Sequence, residues 1–114
     1  MYTYEAEVIR IIDGDTCVVS VDLGFRINYE IKLRLAGISA PEVRGPERPE
    51  GLKSRDFLRS LILGKKVQIR TMKDKQEKYG RYLADIYLLG VKLPDNNCVN
   101  TLMIENGFAK EYER

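Results

Sequence analysis

The chain has 114 residues, enough for one compact domain with a single core and too few for a second. Its 19 Lys plus Arg against 17 Asp plus Glu leave a formal charge of only +2, so any attraction for phosphates must come from local arrangement rather than bulk charge. It has no histidine, which excludes Ser-His-Asp and Cys-His nucleophile systems, imidazole acid–base chemistry and imidazole-ligated metals.

Val8 to Ile12 is apolar and β-branched, Asp13-Gly14 is a turn dipeptide, and Thr16 to Val21 resumes the strand pattern, which predicts a hairpin. After a turn at Leu23-Gly24, Ile27, Tyr29, Ile31, Leu33 and Leu35 alternate with Asn28, Glu30, Lys32 and Arg34. This period of two predicts a third strand with one buried face and Arg34 on its polar face. Gly37 and Pro41 bracket a break, and Val43 to Gly51, with two prolines and several charges, suits an exposed loop. From about Pro49 to Leu63 the spacing becomes helical: Leu58, Leu61 and Ile62 share a face, Pro49 fits a first turn and Gly64 a C-terminal cap. Lys65 to Met72 alternates again, the polar stretch Lys73 to Gly80 reads as a turn, and Arg81 to Leu89 is the next strand. Asn100 is placed to cap a short helix ending at Gly107, with Val99, Leu102 and Met103 as its apolar contacts. The order βββ-α-ββ-α predicts a mainly β (α+β) single domain over residues 1–114, a five-stranded barrel with a helix between its third and fourth strands.

The two cysteines, Cys17 and Cys98, form no C-x-x-C pair, which removes a zinc knuckle or a thioredoxin-like redox site. Both suit free, apolar residues in a reducing compartment, and geometry must decide whether they pair. Met1 to Glu7 has neither the basic nor the apolar part of a secretory leader, and no apolar run approaches the ~20 residues that cross a membrane. A soluble, cytoplasmic chain is expected, with a processed secreted form the open alternative.

Three segments carry candidate chemistry. In Leu33-Arg34-Leu35-Ala36-Gly37-Ile38-Ser39-Ala40-Pro41-Glu42 an arginine on an exposed strand face is followed across a bend by a carboxylate held behind proline. Phosphodiester hydrolysis needs a base or orienting group for water and cations for the charge of the five-coordinate transition state, and Glu42 and Arg34 supply one of each. Lys78-Tyr79-Gly80-Arg81 is either a polar turn, with Gly80 at positive φ, or a phosphate clamp in which Arg81 binds oxygens bidentately beside Lys78 and Tyr79. Asp13-Gly14-Asp15-Thr16 is by itself an ordinary turn, although Asp15 has the oxygen ligand that a hard cation such as calcium accepts without histidine.

The order of these segments, followed by Val99-Asn100 and Asn106-Gly107-Phe108-Ala109, resembles the staphylococcal nuclease (thermonuclease) family nearly end to end. The resemblance implies an OB-fold barrel and calcium-dependent endonuclease and exonuclease action on DNA and RNA, leaving 3′-phosphates. Carried over residue by residue, it makes Glu42 the group that activates or positions water and Arg34 and Arg81 the arginines that stabilise the transition state. Asp15 and the Ala40 carbonyl become calcium ligands, Asp13 stands beside them, and Lys78 and Tyr79 contact a terminal phosphate. Ser39 departs from the pattern, because a neutral hydroxyl stands where nuclease members commonly carry a metal-binding Asp, which weakens calcium affinity or opens the site to another divalent cation. Tyr112 is the one aromatic residue after the last motif. The expected partner is DNA or RNA, preferably single-stranded, with no membrane and a monomeric state. The alternative is a catalytically weak or inactive OB-type module that binds single-stranded nucleic acid.

Overall fold

The structure, a computed structural model, describes residues 2–76, 78–90 and 97–112, with the side chains of 72–76 left out. Strands β1 (Tyr2–Asp13), β2 (Thr16–Asp22) and β3 (Asn28–Leu35) form an antiparallel meander. Then come the short strand β4 (Ile38–Ser39), a 3₁₀ turn at Gly45–Glu47 and helix α1 (Arg48–Ile62). Strands β5 (Lys66–Gln76) and β6 (Tyr82–Leu88), helix α2 (Val99–Glu105) and strand β7 (Lys110–Glu111) complete the chain. The barrel strands run in the order β1-β2-β3-β6-β5 and close through β1 with β5, which is the expected five-stranded barrel with a helix between its third and fourth strands.

Leu33 and Leu35 of the β3 alternation and Val67 and Ile69 of β5 are buried with Cys17, Val19, Val21 and Ile86, together with Leu58 and Ile62 of α1 and Val99 and Met103 of α2. Ile27 and Tyr29, expected on the same buried face, are instead each 53% exposed, because β3 meets β6 only from Leu33 to Leu35 and its earlier part extends past the closed barrel. Burying a branched side chain of this kind contributes about 1.5–3 kcal/mol each, so the barrel interior is the main stabilising element. α1 starts with Pro49 in its first turn and ends before Gly64, whose φ of +75° is the left-handed conformation that stops a helix. The described residues contain no helix long and apolar enough to cross a membrane.

Four further local expectations are corrected. β1 begins at Tyr2 rather than Val8, because Tyr2 to Glu7 pair with Thr71 to Lys66 and so close the barrel, a long-range partnership with no local signature. The polar stretch from Lys73 continues β5 as far as Gln76 instead of turning. The end of the expected exposed loop is helical, and Gly51 is buried: a Cβ there would overlap the carbonyl of Glu42. Asn100 is not a cap, since α2 is preceded by Cys98 without side-chain capping and Asn100 lies inside the helix. The Asn100 side chain is instead a buried cross-link. Its Nδ2 donates to the carbonyls of Ala36 (2.9 Å) and Ala84 (3.2 Å) and to Asp85 (3.3 Å), and its Oδ1 accepts from the Ile86 N–H at 3.1 Å.

The turn joining β1 to β2 also differs in kind from its dipeptide. Neither Gly14 nor Asp15 has a positive φ, so it is not the left-handed turn that Asp-Gly suggests. Space requires the glycine: a Cβ on Gly14 would overlap the Ser54 hydroxyl and come within 2.9 Å of the Ala40 Cβ. Ser54 in turn donates to the Phe108 carbonyl at 2.6 Å, and Phe57 stacks on Phe108 at 4.4 Å. The turn, α1 and the segment after α2 are thereby packed against one another at one end of the barrel.

Candidate active site

The end of the barrel where β1 turns into β2 is also where β3 finishes, since Thr16 pairs with Arg34. β6 runs parallel to the last residues of β3, with Arg34 beside Leu83, so Arg81 enters from the strand next to Arg34. β4 then leads to Ala40 and Glu42, and β7 pairs with it so that Lys110 stands opposite Ser39. A cleft of ≈ 750 Å³ opens there, lined by Asp13, Asp15, Arg34, Ser39, Ala40, Pro41, Glu42, Pro46, Glu47, Glu50, Arg81, Gly107 and Lys110. The sequence-predicted Arg34, Glu42, Arg81, Asp15 and Ala40 therefore share one cavity.

Asp15 is the hub. It is 8% exposed; its Oδ1 accepts the Thr16 hydroxyl at 3.0 Å and its Oδ2 the Ala40 N–H at 2.9 Å. Arg34 Nη2 lies 3.6 Å from Oδ2, an ion pair too long to be a hydrogen bond, and Arg34 Nη1 donates to the Leu35 carbonyl at 2.8 Å. The Arg34 guanidinium also sits 5.9 Å from the centre of the Tyr112 ring, within cation–π range. Arg81 reaches the same corner from the other side, its Nη1 3.4 Å from the Thr16 hydroxyl. Two guanidinium groups thus flank Asp15 and Thr16.

Lys78 and Tyr79 are at the edge of this arrangement and do not line the main cleft. Tyr79 is 67% exposed, with Lys78 Nζ 5.0 Å and Arg81 Cζ 5.4 Å from its ring centre. It lines a second cleft of ≈ 400 Å³ with Ile12, Asp13, Thr16, Lys32, Glu42 and Arg81. Gly80 has a φ of +79°, the backbone that the turn reading predicts and that a residue with a Cβ adopts at a cost.

Charge among the described residues lining the main cleft is unbalanced: the five carboxylates of Asp13, Asp15, Glu42, Glu47 and Glu50 stand with the three cations of Arg34, Arg81 and Lys110. The Asp13 carboxyl registers this crowding. Burial raises its pKa first and the Asp15 charge next; a hydrogen bond from the Val43 N–H lowers it, Glu42 raises it and Arg44 lowers it. That Val43 contact also ties the segment carrying Glu42 to the β1–β2 turn. The donors available for a metal are oxygens, the set a hard cation takes, and like-charged carboxylates are what such a cation relieves. Among the described residues no three acidic or cysteine side chains converge into a ready-made cage. Cys17 is buried and Cys98 partly so, both as free thiols.

Sequence reasoning missed Glu47, Glu50, Thr16 and Lys110. Glu47 lies in the expected loop and Glu50 where that loop overlaps the expected helix, and the close approach of Gly51 to the Glu42 carbonyl holds this stretch against the cleft. Lys110 reaches the site only through the β4–β7 pairing, for which no local pattern exists.

Residues 32–114 match the family model described as staphylococcal nuclease homologue. The chain is 34% identical over 85 residues to the thermonuclease of Staphylococcus hyicus, covering 72% of this chain and 47% of that protein. It is 31% identical over 113 residues to the micrococcal nuclease of Shigella flexneri, covering 96% and 59%, and 34% identical over 109 residues to protein ParB of Escherichia coli, covering 93% and 56%. The chain spans about half the length of these relatives. With the closed barrel, the ordered motifs and the family match all in agreement, this chain belongs to the staphylococcal nuclease family.

Proposed function

We propose that this chain hydrolyses phosphodiester bonds of DNA or RNA, preferably single-stranded, with a divalent cation, most simply calcium. The observation that carries this reading is the convergence of Arg34 and Arg81 on the Thr16–Asp15 corner of a cleft that also holds Glu42. Two guanidinium groups in one cleft suit the extra negative charge of a five-coordinate phosphorus, and each presents several donors in a fixed plane. Glu42, exposed at the cleft wall, takes the proton of the attacking water or orients it. Asp15 keeps Arg34 in place through its charge and fixes the Ala40 backbone through its hydrogen bond. Lys78 and Tyr79, beside Arg81, suit the terminal phosphate.

Asp15, with Ser39 and the Ala40 carbonyl beside it, would hold the cation, which supplies positive charge at the reacting phosphate. Asp13 adds negative charge at its edge. Because affinity for such a cation follows the number of charged ligands, Ser39 lowers it, and activity is expected at millimolar rather than micromolar calcium (an order-of-magnitude figure from weak sites). The products expected are 3′-phosphates.

Digestion of single-stranded DNA, duplex DNA and RNA under calcium, magnesium, manganese or chelator tests this. Glu42→Gln should abolish cleavage, and Ser39→Asp should lower the calcium concentration needed for half-maximal rate. Hydrolysis that persists unchanged in excess chelator would remove the cation from the reading. The second reading, an inactive module that binds single-stranded nucleic acid, is favoured by one observation: Ser39 faces Lys110 across β4–β7, so a cation side chain stands next to the uncharged ligand position. It requires binding without products under every divalent cation.

A further inference from the structure

Beside the cleft, the outer face of the β1–β2–β3 meander carries a cationic row that the hydrolytic reading leaves unused. Residues directly opposite in an antiparallel ladder point to the same side of the sheet. Cys17, Val19 and Val21 point into the core, so Thr16, Val18 and Ser20 point outward. The register then sets successive cross-strand rows on that outer face. Asp13, Thr16 and Arg34 make the first, at the cleft edge. Arg10, Val18 and Lys32 make the second, and Glu7, Ser20 and Glu30 the third.

The second row has the character of a shallow phosphate seat. Val18 is only 4% exposed although it lies outside the core cluster, so it is an apolar floor between two long cationic side chains. Arg10 and Lys32 are both exposed, and neither forms an ion pair with a described residue. Lys32 also lines the second cleft, which shares Asp13, Glu42 and Arg81 with the main one, so the two adjoin. Adjacent rows are two residues apart along β2 and β3, about 7 Å, with an extra residue between rows on β1 where its register shifts. The 7 Å step, about two strand residues, is comparable to that between neighbouring phosphates of an extended single strand.

The geometry points to a subsite for one further phosphate of a single-stranded nucleic acid, held by Arg10 and Lys32 over Val18, next to the phosphate taken by Arg34 and Arg81. For the identity of that neighbouring phosphate it rests on the phosphodiesterase reading. The acidic third row ends the track, because Glu7 and Glu30 repel the next phosphate along. The subsite favours chains over single nucleotides and adds to affinity through charge, without reading base identity.

The test uses the full chain carrying Glu42→Gln, so that an oligothymidylate is not consumed, and measures its affinity by fluorescence anisotropy across a salt series. Adding Lys32→Ala or Arg10→Ala should weaken binding about fivefold and reduce the salt slope by about one. Arg59→Ala removes an equal charge from the last turn of α1 and should do neither by a comparable amount. Glu30→Gln should tighten binding about twofold by relieving repulsion at the end of the track. If Lys32→Ala and Arg59→Ala lose equally, only net charge matters and the subsite is wrong, while cleavage by the wild-type chain keeps the hydrolytic reading alive. If the wild-type chain cleaves nothing yet binding depends on Lys32, the hydrolytic reading falls and the subsite stands.

Discussion

Replacing Asn100 with alanine offers the sharpest test of how the site is held together. Asn100 is 5% exposed and is the only described side chain bonded to both the Ile86 N–H and the Ala36 carbonyl. The Ala84 carbonyl keeps a second partner, the Ala36 N–H at 2.9 Å, so its loss is small. Two backbone groups then lose their partner, Ile86 N–H in the barrel and Ala36 C=O just after β3. An unsatisfied buried group costs about 1–3 kcal/mol, and Ala36 is only partly buried, so the total should be about 2–4 kcal/mol. At roughly 4 °C per kcal/mol for a chain of this size, the melting temperature should fall by about 8–16 °C. Asn106→Ala is the control: its exposed bond from Nδ2 to the Leu102 carbonyl at 2.8 Å should be worth about 1 kcal/mol or less. Urea unfolding of both variants, with m-values to confirm that the transition is unchanged in kind, gives the comparison. Equal losses for Asn100→Ala and Asn106→Ala would refute the cross-link as a stabilising element.

Other perturbations have definite signs. Gly51→Ala forces a methyl group against the Glu42 carbonyl; it should cost about 1–3 kcal/mol in thermal unfolding and lower cleavage more than an equally destabilising change in the distant core, which a matched pair of variants would show. Asp13 has a folded pKa above its ordinary 3.8, so the folded chain binds more protons than the unfolded one between those two values and stability falls as pH rises through that window. Asp13→Asn should therefore be the more stable chain at neutral pH, with the advantage gone below pH 3.8, and a melting-temperature series against pH would expose the opposite sign. Burial pushes the Cys17 thiol up to about 12, so a thiol reagent at pH 8 should modify Cys98 in the folded chain and Cys17 only after denaturation; prompt reaction of both would contradict the buried placement.

Much of the site was legible because its residues are clustered in short segments. Arg34 on β3 and Ala40 and Glu42 just after β4 follow one another within nine residues, and a period-two pattern is enough to put Arg34 on a face different from Leu33 and Leu35. Asp15 was legible as a possible ligand but not as the residue that positions Arg34 and the Ala40 backbone. Those contacts bridge sequence separations that no local pattern encodes. Asn100 shows the opposite error: its residue type suits a helix cap, yet its amide is more useful buried, where it satisfies strand backbone groups that would otherwise lack partners.

By itself the sequence determined the alternating strands, the single long helix with its glycine stop and the ordered motifs that mark the family. These follow from side-chain type and spacing within a dozen residues. Tertiary structure alone decided that β1 and β5 close the barrel, that β3 and β6 lie parallel so that Arg34 and Arg81 reach one corner, and that β7 brings Lys110 opposite Ser39. The physical reason is that such pairings are chosen by which hydrophobic faces must be buried together. That choice belongs to the closed core as a whole and to no segment within it.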